Sequence, residues 1–333
     1  MPAFALSLFH QTKHNALLVW GLLNRPWAKV VWILFLGFLC WRIIPWLSVY
    51  RVWQHLNLPI IISALLVIAI AALAEVISWG IWLPPPSGQS HWRTLSAYYT
   101  IGLFFNQVIP TGSASDVWRW LRLSKQHGKA QVAVSLIMAR LLMFVGLLVW
   151  VIISGLLLNG TLRPPTLLAE SCLLLLISVG SGAVVLSALF PTPRRLMHQY
   201  ATKLLSKVQH LPRLHSAKYW CISLLFAIIS WAATLAAINL FAHGLGIDLQ
   251  WPIATLGLIV SLGMSWIPWT PNGLGWRDGA FVFVLWHAGV PPSAAVALSI
   301  FIDFGALPLT LLGGVLFLWH KLPTQSRLRP QWL

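Results

Sequence analysis

Unbroken apolar runs recur along this chain, at roughly 29–50, 58–83, 131–158, 166–190, 219–243, 251–267 and 293–319. About 20 apolar residues in a helix cross the hydrocarbon core of a bilayer. Inside lipid every backbone N–H and C=O must be paired within the protein, so a spanning chain is either helical or a closed barrel. A barrel would show alternating segments of about ten residues. These runs are continuous, so the sequence predicts an all-α fold, a polytopic membrane helix bundle. Charged residues make up 8% of the chain, where a soluble domain carries about 25%.

The formal net charge is +16. The bases gather in flanks and loops, as with Lys203, Lys207 and Arg213 between His198 and Lys218. That is the positive-inside pattern, and it suits anionic lipid headgroups. No basic surface interleaved with aromatics is visible, so nucleic acid is not an expected partner. Residues 1–28 read as a cytoplasmic lead-in, followed by a retained anchor rather than a cleavable signal. The expected location is the inner (plasma) membrane, multi-pass. The expected organisation is one integral membrane domain over 1–333, with a first half at 1–190, a basic interfacial linker at 191–218 and a second half at 219–333. About seven to eight passes are expected; the basic stretch at 191–218 and the basic tail after 320 belong on the same side, which favours about eight.

Two segments interrupt the apolar pattern. The first runs from Asn106 through Pro110 and Gly112 to Asp116 and Arg119. The second reads Pro271-Asn272-Gly273-Leu274-Gly275-Trp276-Arg277-Asp278 and follows Pro268. Proline removes a backbone donor and clashes with the preceding turn. Each segment therefore predicts a broken, re-entrant helix. Each is followed by a glycine (Gly128, Gly289) and an Ala/Val/Ser-rich helix carrying a charge, Arg140 or Asp303. Matched Gly/Pro breaks in two halves point to a transporter's central site. Helix N-termini restarting after such breaks favour anions, and Arg119 and Arg277 would add bidentate phosphate recognition.

The substrate-binding candidates are Asn106, Pro110, Asp116, Arg119, Arg140, Asn272, Gly273, Gly275, Arg277, Asp278 and Asp303. Structural alternatives stay open. Asp116 and Arg119 could form an i,i+3 ion pair with Asp116 capping the helix. Arg277 and Asp278, being adjacent, are expected to seek different partners, for example in the other half. An Arg140–Asp303 pair across the halves would relieve two charges that each cost about 2.5–3.5 kcal/mol at mid-bilayer. Glu75 is either a proton site or an interfacial group beside Trp79; Glu170 and Asp248 read as interfacial.

Many of the 21 tryptophans fall at run ends, among them Trp79, Trp82, Trp92, Trp220, Trp251 and Trp319. They read as an aromatic belt. Cys40, Cys172 and Cys221 share no ligand spacing, and His10 with His14 lacks a third ligand. No catalytic constellation, metal site or cofactor fingerprint is found.

On its two motifs the chain resembles the lysylphosphatidylglycerol synthase transmembrane-region family. The matching residues are Phe104-Phe105-Asn106 ahead of Pro110, then Asp116 and Arg119, Arg140 in the next helix, and the run Pro271 to Asp278. The family usually has glutamate where this chain has Asp116 and Asp278, and a more glycine-rich first motif. The resemblance implies a flippase-like membrane domain that binds or moves a polar lipid. Stand-alone relatives are linked with phospholipids, polyprenyl-linked sugars and hopanoids. No aminoacyl-transferase domain follows Leu333, so synthesis of lysylphosphatidylglycerol by this chain alone is not expected. The leading expectation is a flippase or transporter of an anionic or glycosylated lipid. A membrane scaffold for a lipid-modifying enzyme and an intramembrane lipid or glycolipid transferase remain as alternatives.

Overall fold

The computed structural model describes residues 46–54, 57–84, 91–108, 114–158, 216–265, 273 and 275–319. Pro110, Asn272, the expected span at 166–190 and all but the last five residues of the expected span at 29–50 lie outside these residues. The chain divides into two compact units, 1–48 and 49–333. Of the first, only residues 46–48 are described, as the opening of helix α1 (Trp46–Gln54). The remaining described helices belong to the second unit. They are α2 (Leu58–Gly80), α3 (His91–Val108), α4 (Ala114–His127), α5 (Lys129–Leu158), α6 (Ala217–Gly244), α7 (Trp251–Ser265), α8 (Trp276–His287) and α9 (Pro292–Trp319). No strand occurs among the described residues.

Four helices, α2, α5, α6 and α9, are long and apolar enough to cross a membrane. Their outer surfaces carry large apolar side chains in stripes. On α2 these are Leu58, Ile62, Leu66, Ile70 and Leu73; on α5, Ile137, Leu141, Phe144, Leu148 and Ile152. A helix apolar on its outward face as well as its inward face suits lipid as the surrounding solvent.

The inward faces use small residues and hydroxyls. On α2, Ala64, Ala71, Ala74 and Ser78 are buried, and α6 meets them with Ser223, Ala227 and Ser230. Ser78 donates to the Ser223 carbonyl at 2.9 Å, and Ser223 returns a bond to the Ser78 carbonyl at 2.8 Å. Ser230 donates to the Ala71 carbonyl at 3.0 Å. With no hydrophobic force between helices in lipid, close approach and such bonds hold the pair, at about 0.6 kcal/mol per bond. Between α5 and α6, tryptophans reach across to backbone: Trp231 donates to the Met143 carbonyl at 2.7 Å and Trp150 to the Ile228 carbonyl at 3.1 Å.

The packed pairs have an internal symmetry. Besides α2 on α6, the contacts are α3 with α4, α7 with α8, α4 with α5, α8 with α9, α3 with α9, α5 with α7, α5 with α6, α2 with α9, α2 with α3, α6 with α7, α2 with α5 and α6 with α9. Exchanging α2, α3, α4 and α5 for α6, α7, α8 and α9 leaves this set of pairs unchanged. Each short helix pair leans on the long helix that ends the other set. The joints match as well, since α4 and α8 each end at a glycine of positive φ, Gly128 and Gly289.

The α3–α9 contact is a backbone-to-backbone approach. A Cβ placed on Gly313 would collide with the Thr100 carbonyl and lie 3.2 Å from the Ile101 nitrogen. Both partners are main chain and cannot swing away. Gly313→Ala should therefore destabilise the bundle by about 1–3 kcal/mol, as overpacking does. A lowered thermal midpoint of the detergent-solubilised protein, beside an unchanged Gly155→Ala control with open space around it, is the expected result.

Candidate functional site

The first break lies between α3 and α4, which pack against each other. Asn106, near the end of α3, closes it: its Oδ1 accepts from the Ser115 backbone N–H at 2.8 Å. A helix start leaves its first N–H groups without helical partners, and here the preceding helix supplies a partner through Asn106. Asp116 is not the cap that the sequence allowed. It stands third in α4, and its carboxylate turns to two arginines. Oδ1 accepts from Arg119 at 2.7 Å, and Oδ2 accepts from the Nε and Nη2 of Arg140 at 3.0 and 2.9 Å.

Arg119 is only 4% exposed, which makes its surroundings decisive. Its guanidinium donates to the Ser115 hydroxyl at 3.0 Å and the Ser115 carbonyl at 3.3 Å. Its centre lies 4.8 Å from the Trp79 ring and 5.3 Å from the Tyr99 ring. A desolvated guanidinium gains substantially from such aromatic faces. The Trp79 indole N–H is itself satisfied by Ser135 at 3.2 Å. Trp79 and Trp82 therefore do not join an exposed belt; both are buried, because Trp79 packs on the arginine and Trp82 donates to Ser223 at 3.1 Å. Trp92, Trp220, Trp251 and Trp319 do face outward. Tyr99 donates to Glu75 at 2.8 Å. The chain of contacts thus runs Glu75, Tyr99, Arg119, Asp116, Arg140. Its last member, on α5, is 52% exposed.

The second break lies between α7 and α8, again a packed pair. Gly273 and Gly275 have φ of 72° and 87°, conformations that other L-residues rarely adopt. At Gly273 a Cβ would also stand 2.8 Å from the Ser265 Cα. Asp278 reaches back to accept from the Gly275 N–H at 2.8 Å. This is the N3 half of a capping box, and glycine has no side chain to return the other half. Asp278 also accepts from Ser299 on α9 at 3.3 Å. Arg277 touches Asp278 at a long 3.4 Å and forms its short ion pair with Asp303 on α9.

Two sequence-based pairings are corrected by this geometry. Arg140 and Asp303 do not meet: Arg140 pairs with Asp116, and Asp303 with Arg277. Arg277 finds its main partner on α9, within the same half. The reason is connectivity. α4 packs on α5 and α8 packs on α9, so each broken segment meets the charge on the helix that follows it.

Counted over the directly ion-paired residues alone, without Glu75, the clusters are opposite in sign. The first holds two arginines on one aspartate, an excess of one positive charge; the second holds one arginine between two aspartates, an excess of one negative charge. Beside the first lies a cavity of about 210 Å³, with Glu75, Tyr99, Asn106, Ser230, Thr234 and Thr310 among its walls. Its α9 wall begins at Ala306, one turn after Asp303. Pro308 interrupts α9 beside that wall, removing the N–H that would bond the Phe304 carbonyl.

The family model described as Lysylphosphatidylglycerol synthase TM region matches residues 26–314. The chain belongs to this family. No curated protein and no solved structure matches it. As a lysylphosphatidylglycerol synthase TM region, the chain is an integral membrane protein, and the matched segment contains both broken motifs and every candidate site residue. Sequence reasoning missed Tyr99, Trp79, Ser115, Ser299 and Pro308. One signal was present: Glu75 and Trp79 are four residues apart and share a helix face. The serines carry no charge and gave none. Among the described residues no cluster of histidine, cysteine and acidic side chains could hold a metal.

Proposed function

We propose that this chain is a flippase or transporter of a polar lipid, anionic or glycosylated, in the inner (plasma) membrane, with a cytoplasmic N-terminus. The observation that carries this reading is a cavity of mixed lining, with the ionisable Glu75 in its wall, inside a bundle of apolar, lipid-facing helices. Intramembrane ionisable residues are costly and mark substrate paths by default. The cavity of about 210 Å³ has room for the uncharged part of a modest headgroup, with Asn106 in its wall; its phosphate would lie outside, toward Arg140, while the acyl chains stay in the surrounding lipid.

In this reading α3–α4 and α7–α8 are re-entrant hairpins, and the chain makes about eight passes as two repeated halves. The exchange symmetry of the packed pairs supports the repeat. The substrate site comprises Asn106, Pro110, Asp116, Arg119, Arg140, Asn272, Gly273, Gly275, Arg277, Asp278 and Asp303. The Ser115 and Gly275 N–H groups already have carboxamide and carboxylate partners. Phosphate recognition therefore falls on the guanidinium groups, first on the exposed Arg140. Arg119 and Asp116 hold Arg140 in place, and Arg277 acts from the other half.

Native mass spectrometry of the gently purified protein tests this. One lipid class should be enriched in the wild type and depleted about tenfold or more in Arg140→Gln, given that a charged hydrogen bond contributes about 1.5–3 kcal/mol. Identical lipid profiles, with the variant folded, would reject a lipid site at these residues.

A further inference from the structure

Glu75 is the carboxylate of the described helices that touches no arginine. Asp116, Asp278 and Asp303 each do. Glu75 instead accepts from the neutral Tyr99 hydroxyl and lines the cavity. The cavity is large enough to admit water, which can bring a proton to the carboxylate.

The helices packed on α2 are α3, α5, α6 and α9, and they differ in what they bring toward Glu75. From α3 comes Tyr99. Beyond the Tyr99 ring, α4 places Arg119 and Asp116, and α5 places Arg140. The α6 wall offers Ser230 and Thr234 and no charge; the α9 wall offers Thr310, and the one charge on α9 is Asp303. Arg119 and Arg140 against Asp116 and Glu75 make a balanced set while Glu75 is ionised. One proton on Glu75 leaves one positive charge uncompensated, and Arg140 is the exposed member that can present it.

The geometry points to Glu75 as a proton-binding site that admits a phosphate-bearing anion to the first cluster, so that proton and anion bind together. This rests on the lipid-site reading above and supplies its energy coupling. A solvent proton, arriving as hydronium through the cavity, binds a Glu75 carboxylate oxygen and leaves water behind; it returns to water as hydronium when the anion leaves. No bond in the lipid changes. Tyr99 carries the signal: its hydroxyl loses a charged acceptor while its ring stays against Arg119. Binding linkage makes the effect reciprocal, each ligand favouring the other by the same factor.

Affinity for an anionic lipid should rise as pH falls, by up to about tenfold per pH unit for one linked proton. The test titrates the full chain in detergent with phosphatidylglycerol across pH, with phosphatidylcholine and soluble glycerol phosphate as companion probes. An infrared titration of the protonated-carboxyl band is run on the same samples. Glu75→Gln mimics the protonated state and should bind phosphatidylglycerol tightly at every pH, without the titrating band. Tyr99→Phe should keep the band and lose most of the pH dependence of binding.

A pH dependence that survives in Glu75→Gln overturns the inference. So does the absence of any band attributable to Glu75 while lipid still binds; that result leaves the lipid site standing. A Glu75 band in a protein that binds phosphatidylglycerol no better than phosphatidylcholine upholds the proton site and sinks the anionic-lipid reading. Glycerol phosphate reproducing the whole pH dependence assigns the site to a free phosphate and overturns the lipid source.

Discussion

Asp116→Ala should be the most destabilising substitution at either cluster, at about 3–5 kcal/mol, the range for removing one partner of a buried ion pair. Arg119 is buried, and Asp116 is the one carboxylate that it contacts. The aromatic faces of Trp79 and Tyr99 attract the guanidinium but cannot neutralise it. Arginine does not shed its proton in a protein, so the uncompensated charge has no chemical escape. Arg140 loses the same partner, but at 52% exposure its side chain is not enclosed by protein and has room to reorient toward another polar group. The variant should therefore unfold at a much lower temperature in detergent, and Asp116→Ala with Arg119→Met should recover most of the loss. Recovery by Asp116→Ala with Arg140→Met instead would show that Arg140, not Arg119, needs the carboxylate.

Arg277→Ala should lower lipid movement in proteoliposomes by about a hundredfold, the equivalent of about 2.7 kcal/mol and within the range for truncating a desolvated charge contact. Its stability cost should be milder than that of Asp116→Ala. The orphaned partners are carboxylates, Asp303 and Asp278, each about a quarter exposed, and Asp278 keeps its bonds from the Gly275 N–H and from Ser299. Arg277→Ala with Asp303→Asn should regain the wild-type thermal midpoint yet remain inactive. That split separates a guanidinium needed for transport from one needed only to hold α8 against α9. Full transport by Arg277→Ala would remove the second cluster from the substrate path.

The helix positions were legible because lipid enforces a simple rule. Where every backbone group must be paired inside its own helix, a span is an uninterrupted apolar run, and α2, α5, α6 and α9 fall within a few residues of the runs at 58–83, 131–158, 219–243 and 293–319. In the second break the glycines were equally legible, since Gly273 and Gly275 take the positive φ that glycine permits. The family could be read from the residues around the two breaks. The sequence also singled out the charged residues that pair in the two clusters, because so few exist.

Tertiary structure alone decided which charge meets which. Asp116, Arg119 and Arg140 lie on two helices, and Arg277, Asp278 and Asp303 on two others; their pairing follows from α4 packing on α5 and α8 on α9. One-dimensional order cannot separate that arrangement from a cross-half Arg140–Asp303 pair, since both relieve the same two charges. Trp79 was misread for a related reason. A tryptophan near a span end suits the interface by chemistry, and only the arrival of Arg119 from α4 turns its ring into a cation-binding surface inside the bundle.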